Sequence, residues 1–204
     1  MKKFNNENAA VTSILILLLM PVFIWAVFTT LDHSFAVNNS DINLQQAVSE
    51  GVRAGTMCIN KTSQAHNEPL IEADTAHMVF RQILARNLEL DLLTLAPKEG
   101  SGLKSAPEYT FIVYNGSDKY GVSPAVKYTS SDQEGILLEN NGFPQSFAIY
   151  PEDIISGTGD LSTNFEAPGC VAVVRVTAPN IGPGESEIVR WAAAKIHKRG
   201  GYDI

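Results

Sequence analysis

Residues 11–28, Val-Thr-Ser-Ile-Leu-Ile-Leu-Leu-Leu-Met-Pro-Val-Phe-Ile-Trp-Ala-Val-Phe, contain no charged side chain. As an α-helix rising about 1.5 Å per residue, the run covers roughly 27 Å, close to the ~30 Å hydrocarbon core of a bilayer. The flanks orient it: Lys2 and Lys3 precede it, Asp32 follows it, and no Lys or Arg recurs until Arg53. By the positive-inside rule, residues 1–10 stay cytoplasmic, 11–30 form a transmembrane helix, and everything after is extracytoplasmic. The competing reading is a signal peptide cleaved near Ala36, which would leave the chain secreted, because Ser34-Phe35-Ala36 puts small residues where a signal peptidase acts. The run is longer than the ~7–15 residues of a signal-peptide core, and Trp25 lies where an interfacial aromatic anchors a permanent span. The retained anchor is therefore the expectation.

Beyond the anchor, about 170 residues remain, enough for one domain with its own core. The chain has 204 residues and a formal net charge of −7, with its basic residues scattered rather than clustered. That distribution is not a nucleic-acid footprint, so no DNA or RNA partner is expected. Its two cysteines, Cys58 and Cys170, both fall on the exported side, where an oxidising compartment permits pairing. A disulfide between them, closing a long loop, would contribute roughly 4–5 kcal/mol in the loop-entropy account. Two buried free thiols packed as small apolar groups are an equal alternative, since sequence does not give the Cβ separation that a bridge requires.

Residues 31–95 read as an extracytoplasmic helical region. Leu31, Phe35, Ile42, Val48, Val52 and Ile59 fall roughly on one stripe, so a first helix over 31–59 continues the membrane span. Asn38-Asn39-Ser40-Asp41 is its weak point, where Ser40 or Asp41 could cap a fresh helix instead. Gly51 and Gly55, one turn apart, either admit a closely packed neighbour or weaken the helix by up to about 1 kcal/mol each. A second helix is clearer. Glu72 and Asp74 favour its N-terminal dipole end, and Ala76, Val79, Phe80, Ile83, Leu84 and Leu88 form an i, i+3, i+4 stripe ending near residues 87–90. Residues 96–107 form a linker, with Lys98-Glu99-Gly100-Ser101-Gly102 as a flexible connector.

Residues 108–204 read as the β-rich part of the same exported domain. Tyr109-Thr110-Phe111-Ile112-Val113-Tyr114 is β-branched and aromatic, and Asn115-Gly116-Ser117-Asp118 supplies turn chemistry before a returning Lys119-Tyr120-Gly121-Val122. Short apolar segments follow at 125–128, 135–138 and 146–150. Val171, Val173, Val174 and Val176 make Cys170 to Ala178 the strongest strand, central and buried. After a loop over 179–184, residues 188–196 carry both helical (Ala192-Ala193-Ala194) and strand (Ile188-Val189-Arg190-Trp191) signals. An antiparallel partner for the valine-rich segment favours strand. The fold class is therefore α+β: an N-terminal transmembrane helix, continuing as one long helix, and a second amphipathic helix packed on a C-terminal antiparallel β-sheet.

This plan resembles the TadE-like membrane-anchored pseudopilins of tight-adherence pilus systems, and pilin-type proteins more broadly. The likeness rests on the short basic N-terminus with its single span and on Ala47-Val48-Ser49-Glu50-Gly51-Val52-Arg53-Ala54-Gly55. It rests also on Asp74-Thr75-Ala76 leading to the segment from Phe80 to Asp91, the Tyr114-Asn115 strand end, and Val189-Arg190-Trp191-Ala192-Ala193. The resemblance implies a non-enzymatic surface or pilus-assembly protein. Its partners would be the lipid bilayer and other membrane or pilus-assembly proteins, met through the N-terminal helix and the sheet domain. No Gly precedes the apolar run, a departure from the type IV precursors on which prepilin processing depends.

Within the span, Ser13, Pro21, Trp25 and Ala26, with Ala9 and Ala10, are the residues to watch for helix packing, since association in lipid depends on close approach. Pro21 is tolerated in a membrane helix when neighbouring groups satisfy the freed carbonyl. Chemistry is otherwise sparse. His33, His66, His77 and His197 are scattered, without a metal-ligand spacing, so no metal or cofactor is expected, and His77 reads as exposed or capped. Gly-x-Ser-x-Gly is absent, Gly157-Thr158-Gly159-Asp160 reads as a turn, and the acidic residues of 132–139 and 152–153 lack the EF-hand pattern. No catalytic residue is assigned. Asn38, Asn60 and Asn115 open glycosylation sequons. The function expected is thus a membrane-anchored pilin-like protein, with an anchored extracytoplasmic ligand-binding or sensor module as the alternative.

Overall fold

The computed structural model describes the backbone of residues 6–179 and 185–196, and along the first helix the side chains of 16–28 and of 43 onward. That helix, α1 (Asn6–Thr56), is a single 51-residue element with Pro21 inside it. The Asn38-Asn39-Ser40-Asp41 segment does not interrupt it, so the continuous helix forms and the alternative, a fresh helix capped at Ser40 or Asp41, does not. Its last turns carry the apolar stripe into the core, where Leu44, Ala47, Val48 and Val52 are fully buried. The helix stops at Thr56 rather than running to Ile59, which instead forms an isolated bridge with Ile71.

A short helix α2 (Lys61–Ala65) follows, capped by Asn60, whose side chain accepts from the Ser63 N–H. Helix α3 (Ala73–Asn87) then buries Ala73, Ala76, His77, Phe80, Leu84 and Ala85. Val79 and Ile83, expected on the same stripe, are half-buried, and His77 takes a core place instead of the exposed one expected. The 96–107 connector is tied back at several points: Lys98 N–H donates to the Glu89 carbonyl, Ser101 Oγ to the Leu88 carbonyl and Lys104 N–H to the Thr177 carbonyl.

The strands are β1 (Glu108–Tyr114), β2 (Ala125–Thr129), β3 (Ile136–Leu137), β4 (Gln145–Ile149), β5 (Ile154–Ser156), β6 (Ser162–Phe165), β7 (Gly169–Pro179) and β8 (Glu185–Lys195). They form two sheets, a five-stranded one in the order β3-β2-β1-β7-β8 and a three-stranded one in the order β5-β4-β6. Every strand pairing is antiparallel. The second sheet corrects the expectation of one sheet with helices on one face: α1 and α3 cover one face of the larger sheet, and the smaller sheet covers the other.

Alternation along β1 and β7 sorts the side chains between two cores. Tyr109, Phe111, Val113, Cys170, Ala172, Val174 and Val176 meet the helices, whereas Ile112, Tyr114, Val171 and Val173 meet Phe147, Ile149, Ile154 and Phe165 of the small sheet. Burial on both faces explains why β7 is nearly continuously apolar. Strand β8 pairs with β7 along its whole length, from Gly169↔Lys195 to Pro179↔Glu185, so the strand reading of 188–195 holds. The return of the first hairpin is β2, not residues 119–122. Those residues sit in a tight turn in which Gly116, Tyr120 and Gly121 have positive φ of 63°, 60° and 74°. The reason lies in Asn115, whose side chain is drawn inward rather than into a two-residue turn.

Candidate functional site

The described apolar part of α1 stands outside both cores. From Ile16 to Phe28 its large side chains are exposed, from 43% at Leu19 to 76% at Leu17, and Trp25 is 70% exposed. Pro21 and Ala26 are likewise exposed. Ser13, with Ala9 and Ala10, has a side chain outside the described residues, as does His33, and His197 lies outside altogether. Counted over described residues, no helix is long and apolar enough to cross a membrane; the described side chains in the apolar run are those of 16–28. Large exposed apolar surfaces mark protein–protein or membrane interaction sites.

At the other end of α1 the close packing is specific. A Cβ placed on Gly51 would lie 2.8 Å from Phe80 Cδ2, and one on Gly55 would lie 3.2 Å from Phe111 Cζ. The two glycines therefore let α1 approach α3 and the sheet, which settles the choice left open by their spacing. Phe80 and Phe111 stack at 4.5 Å between centroids, and His77 stacks on Tyr128 at 4.1 Å. His77 Nε2 lies 2.9 Å from the Tyr109 hydroxyl, while Tyr128 donates to Asp74 at 2.8 Å. Burial, with the Arg81 guanidinium adding to it and Asp74 opposing, takes His77 down to about 4. Burial likewise pushes the Tyr109 phenol up to about 12 and Tyr128 higher still. At neutral pH all three groups are uncharged, which makes the cluster a structural element of the helix–sheet core.

Asn115 is the other buried polar anchor. It accepts from the Ile71 N–H at 2.7 Å and donates to the Ile71 and Ser123 carbonyls at 2.9 Å each, joining the segment before α3 to the end of β1. Its sequon is consequently out of reach, and that of Asn60 is occupied in capping α2. Neither role had a signal in the sequence beyond the residue type.

On the opposite side of the large sheet, a cleft of about 230 Å³ is lined by Glu108, Lys127, Asp153, Arg175 and the hydroxyls of Thr129 and Ser130, among others. Lys127 pairs with Asp153 at 2.6 Å, and Arg175 pairs with Glu108 and with Glu187 at 2.9 Å. The Glu108 bond is the leading cause that holds the Arg175 guanidinium above its ordinary range. The two cations of the cleft are thus each paired with carboxylates. Among the described residues no group of three or more His, Cys, Asp or Glu could hold a metal ion.

The structure brings Cys58 and Cys170 to one corner, between the end of α1 and the start of β7, without a bond between them. Burial raises the thiol pKa of both, and in Cys170 the neighbouring Cys58 adds to the effect. No family model matches the chain, and no curated protein or solved structure matches it either.

Proposed function

We propose that this chain is a non-enzymatic, single-pass, membrane-anchored pilin-like protein of TadE type, acting at the cell surface or in pilus assembly. The single observation that carries the proposal is the division of labour along α1. One unbroken helix exposes its large apolar side chains over 16–28 and buries Leu44, Ala47, Val48 and Val52 in the domain core. The charge-free run 11–28 supplies the length for a span, and Lys2 and Lys3 orient the N-terminus to the cytoplasm. Cleavage near Ala36 would fall inside this continuous helix, which supports the retained anchor over secretion.

The test is mass spectrometry of the mature N-terminus combined with fractionation of membranes and sheared surface filaments. An intact N-terminus in the membrane or in filaments is expected; a freely secreted monomer beginning near Val37 would overturn the anchored reading. The ligand-binding or sensor alternative is favoured by one feature, the charged cleft of about 230 Å³. A thermal shift with a small polar ligand, abolished by Arg175→Ala, would support that alternative.

A further inference from the structure

We infer that Cys58 and Cys170 form an internal disulfide that pins the end of α1 to the start of β7, and that Cys58 is the thiol through which it is made. The inference rests on the exported setting of the proposed function for its oxidant, but its geometry is independent of it. Cys170 is fully buried on β7, with Val113 of β1 and Ala194 of β8 as its neighbours in register. Directly above it runs the last turn of α1: a Cβ on Gly55 would be 3.7 Å from Cys170 Sγ. Cys58 follows Gly55 by one turn, held there by its N–H to the Gly55 carbonyl at 3.1 Å, while its own carbonyl accepts from Glu72 at 2.8 Å. Its side chain packs against the core cluster that contains Cys170, and its thiol now points to the Ala54 carbonyl at 3.5 Å. Pairing requires Cys58 Sγ to leave that weak acceptor and turn toward Cys170.

The two thiols differ in access. Cys58 is half-buried and lines an opening of about 410 Å³ together with Met57, Asn60, Lys61 and Thr75, whereas Cys170 has no exposed surface. An oxidant therefore meets Cys58 first. The Cys58 thiolate attacks one sulfur of a disulfide oxidant, a dithiol–disulfide oxidoreductase or oxidised glutathione, and displaces its other sulfur as a thiolate. The Cys170 thiolate then attacks Cys58 Sγ, the S–S bond forms within the chain, and the oxidant leaves as its second thiolate. The two protons lost by the cysteines go to the two oxidant thiolates, and the two electrons reduce the oxidant. Because burial raises both thiol pKa values, closure accelerates as the pH rises.

The test uses the full chain, purified in detergent, reduced, and then exposed to oxidised glutathione before acid quenching, alkylation with N-ethylmaleimide and non-reducing peptide mapping. A peptide pair linking Cys58 to Cys170, with loss of two hydrogens and no alkylated thiol, is expected. Before oxidation, alkylation of Cys58 should outrun that of Cys170 by roughly a hundredfold, since the latter requires local opening. In Cys58→Ser, Cys170 should stay reduced and unmodified until the chain is unfolded. Two free thiols after oxidation, a stable glutathione adduct on Cys58, intermolecular dimers, or modification of Cys170 in folded Cys58→Ser would each overturn the inference. Trapping thiols in intact cells separates the two readings: a pair that closes in the purified chain but is trapped reduced in cells upholds the pairing and counts against the exported setting.

Discussion

Replacing Asn115 by Ala should be among the most destabilising single substitutions outside the apolar cores. Asn115 is fully buried and makes three short bonds, one received from the Ile71 N–H and two given to the Ile71 and Ser123 carbonyls. Truncation leaves one buried donor and two acceptors without these partners, and an orphaned buried group costs about 1–3 kcal/mol. With partial relaxation of the carbonyls and a small cavity added, the loss should be about 3–5 kcal/mol, against a typical whole-domain stability of about 5–15 kcal/mol. Asn115→Asp separates hydrogen bonding from volume. It keeps the acceptor for Ile71 but sets a carboxylate oxygen against two carbonyls, so the native state favours the protonated acid and its folded pKa rises above the unfolded value. Relative stability of that variant is then highest below the unfolded carboxyl pKa and is lost as the pH climbs through the folded one. The assay is urea unfolding of the full chain in detergent, followed by Trp191 fluorescence in a Trp25→Phe background. A loss under about 1 kcal/mol for Asn115→Ala, or an Asp variant that tracks the Ala variant at every pH, would refute the reasoning.

Gly51→Ala gains up to about 1 kcal/mol of helix propensity but drives a methyl into Phe80, where overpacking costs about 1–3 kcal/mol, so thermal unfolding should show a net loss. In a Phe80→Leu background the same change should become neutral or stabilising, and an unchanged sign would remove the role assigned to that contact. His77 has a folded pKa of about 4, depressed first by burial, so the unfolded state takes up the proton as pH falls below 6.5. Its share of stability is full above 6.5 and declines by about 3 kcal/mol toward pH 4, a slope that His77→Gln should remove from denaturation curves measured across that range. Leu18→Arg and Phe23→Arg should each disfavour insertion by about 2.5–3.5 kcal/mol and shift the chain from carbonate-resistant to extractable. The unfolding midpoint of the domain should be unchanged, because neither residue touches its core.

Much of the helix–sheet half was legible in sequence because its signals are local. The valines of β7 marked a central, buried strand and the spacing of Ala76, Phe80, Leu84 and Leu88 marked α3, while the paired glycines left close packing and a weak helix open until their contacts with Phe80 and Phe111 decided it. The small sheet was not legible as a separate layer, since its strands are short and Ser162–Phe165 buries only Phe165. Its existence depends on Phe147 and Ile154 meeting Tyr114 and Val173, a non-local fact with no trace in periodicity. The Asn115-Gly116 pair reads as a tight hairpin by local chemistry, and the buried bonds to Ile71, 44 positions away, override it. His77 was misplaced for the same reason: its slot is made by Tyr109 and Tyr128 from across the sheet. The polar 38–41 segment carried a real capping signal, but the helix passes through it unbroken. The site-level features, namely the cleft, the cysteine corner and the Asn115 bridge, all join residues distant in sequence.

The unbroken run of α1 also fixes a phase. From Phe28 to Leu44, the first buried core residue among the described side chains of the helix, α1 advances roughly 24 Å and turns about 100° per residue. Lengthening this stretch by a single residue would lift the domain only about 1.5 Å but swing it by more than a quarter turn relative to the apolar face, whereas adding seven would restore nearly the same azimuth. The stretch between the two ends is thus a dial: its length in residues sets which side of the domain a neighbour on the apolar face would meet.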